Sequence, residues 1–187
     1  MTFSVTANQG LEVVKTRWRA VPYTGGKGLD LGCGKEKLFD TEFCTGLDSG
    51  RDNELFGHVI NANIKQDVRN LAQFASGQQD YIFSSHVLEH IPYAEVPGVL
   101  REWMRVLKTG GRLILYLPDD KQYPLCAEPD LGIKGDPAAN SDHKWNVNYD
   151  RLVSAMERTA FNWDLIDYQV CDKDDEYSLF FVFEKLK

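Results

Sequence analysis

The stretch from Asp80 to Pro118 constrains the fold more than any other part of the sequence. Arg112-Leu113-Ile114-Leu115-Tyr116-Leu117, closed by Pro118, is an almost unbroken apolar run of strand length, the pattern of a strand covered on both faces. Ahead of it, Val96, Val99, Leu100, Trp103, Met104 and Leu107 recur at helical spacing, and Gly110-Gly111 reads as the stop of that helix. Ahead of the helix, Asp80-Tyr81-Ile82-Phe83-Ser84 is a second short apolar strand. Strand, helix and strand in this order form a βαβ unit, because two parallel strands need a crossover between them.

The rest of the chain extends that unit. Gly28-Leu29-Asp30-Leu31-Gly32 reads as a buried strand entering a glycine-rich turn, Thr45-Gly46-Leu47-Asp48 as a second strand ending on a carboxylate, and His58 to Ile64 as a third. In front of them Leu11, Val14, Trp18 and Val21 have the spacing of an amphipathic helix that stops at Pro22. Behind them, residues 118–148 are rich in Pro, Asp, Gly and Asn, with little periodicity and more length than a structureless connection normally has, so a functional loop is expected. A helix follows from Tyr149 to Thr159 with Asn148 as its cap and Leu152 and Met156 inward. Trp163 to Val170 and Tyr177 to Phe183 then read as an antiparallel hairpin around a solvated acidic turn, Asp172 to Glu176. The 187 residues, 43% of them apolar, suit one core and one domain.

Three carboxylates and a turn carry the chemistry. In Asp30-Leu31-Gly32-Cys33-Gly34, two glycines in a strand-to-helix turn let the backbone approach a ligand and leave amide N–H groups to meet it. Asp48, eighteen positions after Asp30, is placed to accept both hydroxyls of a ribose. Asp67, after the third strand, is placed either to take an exocyclic adenine amine beside Val68 or to cap a following helix. The third glycine of the dinucleotide fingerprint is absent, since Lys35-Glu36-Lys37 stands in its place.

Together with Ser84-Ser85-His86-Val87-Leu88-Glu89-His90-Ile91-Pro92 and Arg105-Val106-Leu107-Lys108-Thr109-Gly110-Gly111, these residues resemble the class I S-adenosylmethionine (SAM)-dependent methyltransferases of the type 11 kind, from about Gly28 to Pro118. Gly32-Cys33-Gly34-Lys35 is similar to a subgroup met in glycan and surface-polysaccharide pathways. The resemblance implies a Rossmann-like α/β fold: seven strands, mostly parallel, helices on both faces and an antiparallel C-terminal hairpin. It also implies SAM as cofactor and S-adenosylhomocysteine as product. Gly32, Cys33 and Gly34 would pass the methionine part, with Asp30 organising the turn and the ammonium group. Asp48 and Ser49 would hold the ribose, Asp67 and Val68 the adenine, and Ser84, Ser85 and His86 would lie under the sulfonium.

If the acceptor is a hydroxyl or a protonated amine, a base is required, and His86, His90 and His143 are the candidates, His143 with Asp142 beside it. Glu89 reads as structural. Residues 1–27 are expected to form an N-terminal helix in which Arg17, Trp18 and Tyr23 close over the site as a lid or pack in the ordinary way, and 118–148 a substrate loop. The expected acceptor is a small polar molecule, with a sugar or glycan-linked one leading. A formal charge of −7 and the absence of a basic stripe argue against nucleic acid. No apolar run is long enough to enter a membrane, and a cytoplasmic chain is expected. Cys33, Cys44, Cys126 and Cys171 are scattered and suggest neither disulfides nor a metal site. An NAD-type oxidoreductase and a non-catalytic SAM-binding module are the alternatives.

Overall fold

The computed structural model describes residues 12–51, 59–122, 142–173 and 176–187. Seven strands form one sheet in the order β3-β2-β1-β4-β5-β7-β6. They are β1 (Gly28–Leu31), β2 (Cys44–Asp48), β3 (Ile64–Lys65), β4 (Gln79–Ser85), β5 (Leu107–Pro118), β6 (Trp163–Cys171) and β7 (Ser178–Lys185). The first five run parallel, and β7 lies antiparallel to both β5 and β6, so the C-terminal hairpin closes the sheet.

Alternation along the central strands produces two cores. Ile82, Leu113, Leu115, Leu117, Phe181 and Phe183 point to one face, under α2 (Val96–Val106) and α3 (Tyr149–Glu157). Tyr81, Phe83, Ile114, Tyr116, Phe180 and Val182 point to the other, under α1 (Glu12–Ala20). Helices therefore cover both faces. In α2 the fully buried Trp103 also donates its indole N–H to Val68 O at 2.8 Å, tying the helix to the turn after β3. In α3, Asn148 accepts the amide of Arg151 at 3.0 Å and caps the first turn as its side chain predicts.

Five expectations change. Val14, Trp18 and Val21 are half exposed or more; α1 instead buries Glu12, Val13, Thr16 and Ala20, with Glu12 accepting from Lys15 and from the Tyr177 hydroxyl, each at 3.1 Å. Leu11 lies outside the described residues. The third strand keeps only Ile64–Lys65, and His58 is outside the described residues as well. Gly110-Gly111 does not stop α2. The helix ends at Val106, and the glycines form a bulge inside β5, where Leu107 pairs with Gln79 but Arg112 pairs with Tyr81 and Gly110 has φ +77°. No helix follows Asp67; residues 68–69 form a turn. Glu176 is not a solvated turn residue. Its carboxylate meets Arg19 Nη1 at 2.6 Å and Nη2 at 2.8 Å and accepts the Tyr116 hydroxyl at 2.9 Å, joining α1 to the end of the hairpin turn.

Candidate functional site

At the carboxyl end of β1 the chain must turn sharply beside β2, and its polar groups are committed to that turn. The amides of Gly32 and Cys33 both donate to Leu47 O, at 2.7 and 3.2 Å. Gly32 has φ +77°, and a Cβ there would stand 2.2 Å from Val87 Cγ2, so both conformation and space call for glycine. Asp30, buried in the strand, accepts the Leu38 amide at 2.6 Å from across the turn. Burial, reinforced by the charge of Asp48, pushes its carboxyl up to about 7.

Asp48 ends β2 half buried. Its Oδ2 takes the Gly34 amide at 3.0 Å and its Oδ1 the Gly50 amide at 2.7 Å, which fixes the carboxylate over the glycine turn with lone pairs remaining for a ligand. Ser49, next to it, is exposed and accepts the Arg51 amide at 3.3 Å. Cys33 is buried, and burial pushes its thiol up.

Lys35-Glu36-Lys37, the departure from the glycine pattern, is where the turn is braced. Lys37 lies buried along Gly46 and reaches Asp40 at 2.8 Å and Asn63 at 3.3 Å. Arg17 of α1 donates to Leu38 O, Lys37 O and Glu36 at 2.8–2.9 Å. Arg17 thus holds the turn rather than covering it. Tyr23 bonds Asp167 at 2.8 Å, and Trp18 is 66% exposed under the Arg19 guanidinium.

After β3, Asp67 forms a bidentate pair with Arg69, which holds its carboxyl below the usual range, and it also accepts the Arg69 amide at 2.9 Å. Arg69 in turn reaches Glu95 at 3.1 Å. An adenine amine would have to share this carboxylate with Arg69. Val68 beside it is buried.

The carboxyl end of β4 gathers buried polar groups. The Ser84 hydroxyl is spent inside the sheet, donating to Leu31 O at 2.8 Å, whereas Ser85 Oγ is buried with no hydrogen-bond partner among the described residues. His86 has φ +53° and sits between the Tyr116 and Tyr177 rings, with Nε2 3.0 Å from Ser178 Oγ and Nδ1 3.4 Å from Glu89 Oε1. Burial pushes its imidazole down to about 3. Glu89 follows on a short 3₁₀ turn, Leu88–His90, entirely enclosed, and burial pushes its carboxyl up to about 8.

Beyond β5, residues 142–147 return to this turn. Lys144 N donates to Glu89 O at 2.6 Å and the Trp145 indole to Leu88 O at 2.8 Å. That seats His143, buried, edge-on against His90 with ring centroids 5.0 Å apart. Burial pushes His143 down to about 3 as well, which leaves it neutral near pH 7 but a weak proton acceptor. Asp142 pairs with Arg51 at 3.7 Å, linking the same segment to the residues after β2. Of the expected loop, residues 123–141, with Cys126, lie outside the described residues.

The fold thus gathers Asp30, Gly32, Cys33, Gly34 and Asp48 at one point, Ser85, His86, His90 and His143 at a second, and sets Asp67 and Val68 beyond β3. Glu89, read from sequence as structural, is at the centre of the second group. A cleft lined by Tyr23, Asp80, Lys108 and Arg112 lies at the opposite, amino ends of the strands. There Asp80 is already consumed by Lys108 at 2.6 Å and the Lys27 amide at 2.9 Å, and α/β sheets bind ligands at the carboxyl ends.

Residues 29–115 match the family described as "Methyltransferase domain". No match was found among curated proteins. A SAM-dependent methyltransferase from Archaeoglobus fulgidus superposes with a TM-score of 0.64 at 18% identity, covering 94% of this chain and 93% of its own. A protein from Pyrococcus horikoshii does so at 0.64 and 19% identity, covering 98% and 95%. A SAM-dependent methyltransferase from Methanosarcina mazei reaches 0.59 at 18% identity, covering 90% and 97%. The chain shares their fold: the Rossmann-like sheet with an antiparallel C-terminal pair.

Proposed function

We propose that this chain, which carries a methyltransferase fold and a methyltransferase-domain match, transfers a methyl group from SAM to an oxygen or nitrogen of a small polar acceptor. The observation that carries the reading is the carboxylate of Asp48, pinned by the Gly34 and Gly50 amides at the carboxyl end of β2 and directed over a glycine turn. A carboxylate so fixed is preorganised for the two hydroxyls of a ribose, and the enclosed, unsatisfied Ser85 Oγ offers a further polar contact near the end of β4. These residues fit an adenosyl ligand. Asp30, Gly32, Cys33 and Gly34 then lie along its methionine part, and Asp67 and Val68 at its adenine.

SAM supplies a methyl group on a sulfonium whose departure as a thioether needs no protonation. The chain's own task is to hold an acceptor in line and exclude water. The described residues suit that task at the β4 end, which brings together Ser85, His86, Glu89, His90 and His143, with His86 between the Tyr116 and Tyr177 rings. With His143 neutral near pH 7, its imidazole orients an acceptor's hydroxyl or amine by hydrogen bonding more readily than it removes its proton, while His86 turns its ring nitrogens to Ser178 and Glu89. Segment 118–148 is the substrate loop in this reading. A sugar or glycan-linked acceptor remains the leading choice, on the Gly32-Cys33-Gly34-Lys35 likeness alone, and no helix among the described residues is long and apolar enough to cross a membrane.

Calorimetric titration with SAM, S-adenosylhomocysteine and NAD tests the reading. Micromolar binding of the first two without NAD is the expected result; binding of NAD alone would replace methyl transfer with hydride chemistry. SAM binding without S-adenosylhomocysteine release across an acceptor panel would favour a non-catalytic module.

A further inference from the structure

We infer that Glu89, His90 and His143 form a binding site for one divalent first-row transition-metal ion, open at one or more coordination positions. Each residue presents one donor atom, and the three donors lie within 4.8 Å of one another. Glu89 Oε1 and His90 Nε2 are 3.9 Å apart. Metal–donor distances of roughly 2.0–2.2 Å place neighbouring ligands about 3.3–3.5 Å apart in a tetrahedron, so the donors close on an ion by side-chain adjustments of about 1 Å or less.

The independent sign is Glu89. It is completely buried, and neither carboxylate oxygen has a hydrogen-bond partner among the described residues. An enclosed carboxylate without a donor is costly unless a cation or a proton answers it, and this one has a ring nitrogen of His90 and one of His143 within 4.8 Å. The donors are also held in place. The Lys144 amide grips Glu89 O at 2.6 Å and the Trp145 indole grips Leu88 O at 2.8 Å, so the two segments that bring the donors together are locked to each other. His86, with Nδ1 3.4 Å from Glu89 Oε1 and Nε2 3.0 Å from Ser178 Oγ, is a positioning residue behind the carboxylate.

Ligand type selects the ion. Two imidazoles and one carboxylate suit zinc, cobalt or iron(II) better than magnesium or calcium, which prefer all-oxygen shells. Three protein ligands also leave a position for an exogenous donor, as reactive metal sites do and closed structural ones do not. The site departs from the expectation drawn from cysteine spacing. It contains no thiolate, and its members come from segments 53 residues apart in sequence.

Cobalt(II) is the probe. The full chain, stripped with chelator, should take up one Co²⁺ per molecule with visible ligand-field bands. Glu89→Gln, His90→Ala and His143→Ala should each weaken uptake by at least the 10- to 100-fold that loss of a mere supporting residue costs. His90 has a side chain 37% exposed, so His90→Ala should keep the parent's melting temperature and reads metal loss without unfolding. Azide should shift the bands of the loaded protein. Uptake no greater than that of a folded His90→Ala/His143→Ala chain overturns the site, and bands indifferent to azide overturn its open position. Neither measurement uses SAM, so failure here leaves the methyl-transfer reading untouched, and failure of SAM to bind leaves this site standing.

Discussion

Replacing Asp48 separates two tasks that one carboxylate performs. It holds the glycine turn through the Gly34 amide at 3.0 Å and the Gly50 amide at 2.7 Å, and in the proposed function it also holds a ribose. A hydrogen bond to an ionised acceptor contributes about 1.5–3 kcal/mol, and the half-buried position lets water recover part of that when the side chain is cut back. Asp48→Ala should therefore lower stability by about 2–3 kcal/mol in urea denaturation. Asp48→Asn keeps one oxygen acceptor and should lose about half as much. The ligand responds differently, because an amide offers its hydroxyls neither the charge nor the second oxygen. A loss of about 1.5–3 kcal/mol is a 10- to 150-fold weaker Kd for SAM, in both variants, measured by calorimetry well below the melting transition. Asp48→Asn binding SAM within about threefold of the parent, together with the expected instability of Asp48→Ala, would reduce Asp48 to a brace of the turn. Asp48→Ala as stable as the parent would remove the brace as well.

Three other outcomes are expected. Gly32→Ala should cost about 2–4 kcal/mol in urea denaturation, from left-handed backbone strain plus the encounter with Val87 Cγ2, and Val87→Ala should restore part of it in a double-mutant cycle. Asp30 has a folded pKa of about 7, above its value in the unfolded chain. The native state then binds the extra proton between about pH 4 and 7, and the stability this group contributes is present at the acid end of that window and lost as pH rises through it. Asp30→Asn should flatten that decline, by at most about 4 kcal/mol across the window, with thermal denaturation at successive pH values as the check. Glu176→Gln should destabilise by about 2–3 kcal/mol, since it strands the Arg19 guanidinium where both side chains are about nine-tenths buried, and it should leave SAM affinity unchanged.

The fold was legible wherever one element states its own period. Leu113 to Leu117 is apolar throughout, and it became the fully buried part of β5; Trp163 to Val170 reads as a strand, and it became the edge strand β6 with alternate residues exposed. The register of α1 was not legible for the opposite reason. Its apolar residues Val14, Trp18 and Val21 make a convincing stripe, but the side that packs carries Glu12, to which the surface beneath offers Tyr177 at 3.1 Å. A hydrophobic count cannot anticipate a helix that buries a carboxylate against a polar partner. Gly110-Gly111 misled in a similar way: two glycines read equally well as a helix stop or a bulge, and only the pairing of Leu107 with Gln79 distinguishes them.

The candidate site divides along the same line. Asp30, Gly32, Gly34 and Asp48 sit within the span from β1 to the end of β2, so spacing along the chain nearly equals proximity in space, and their convergence could be read directly. Glu89, His90 and His143 meet only because the segment after β5 folds back and hydrogen-bonds to the turn after β4. Sequence spacing contains no trace of that return. Nor does it reveal burial, which turns Glu89 from a residue that reads as structural into an enclosed carboxylate awaiting a cation and lowers the imidazoles of His86 and His143 until both are neutral. The same burial argues against His86 or His143 as a free base. A group held near 3 takes little proton from an alcohol or an ammonium at neutral pH, so neither of these two imidazoles serves as the base for an acceptor with a hydroxyl.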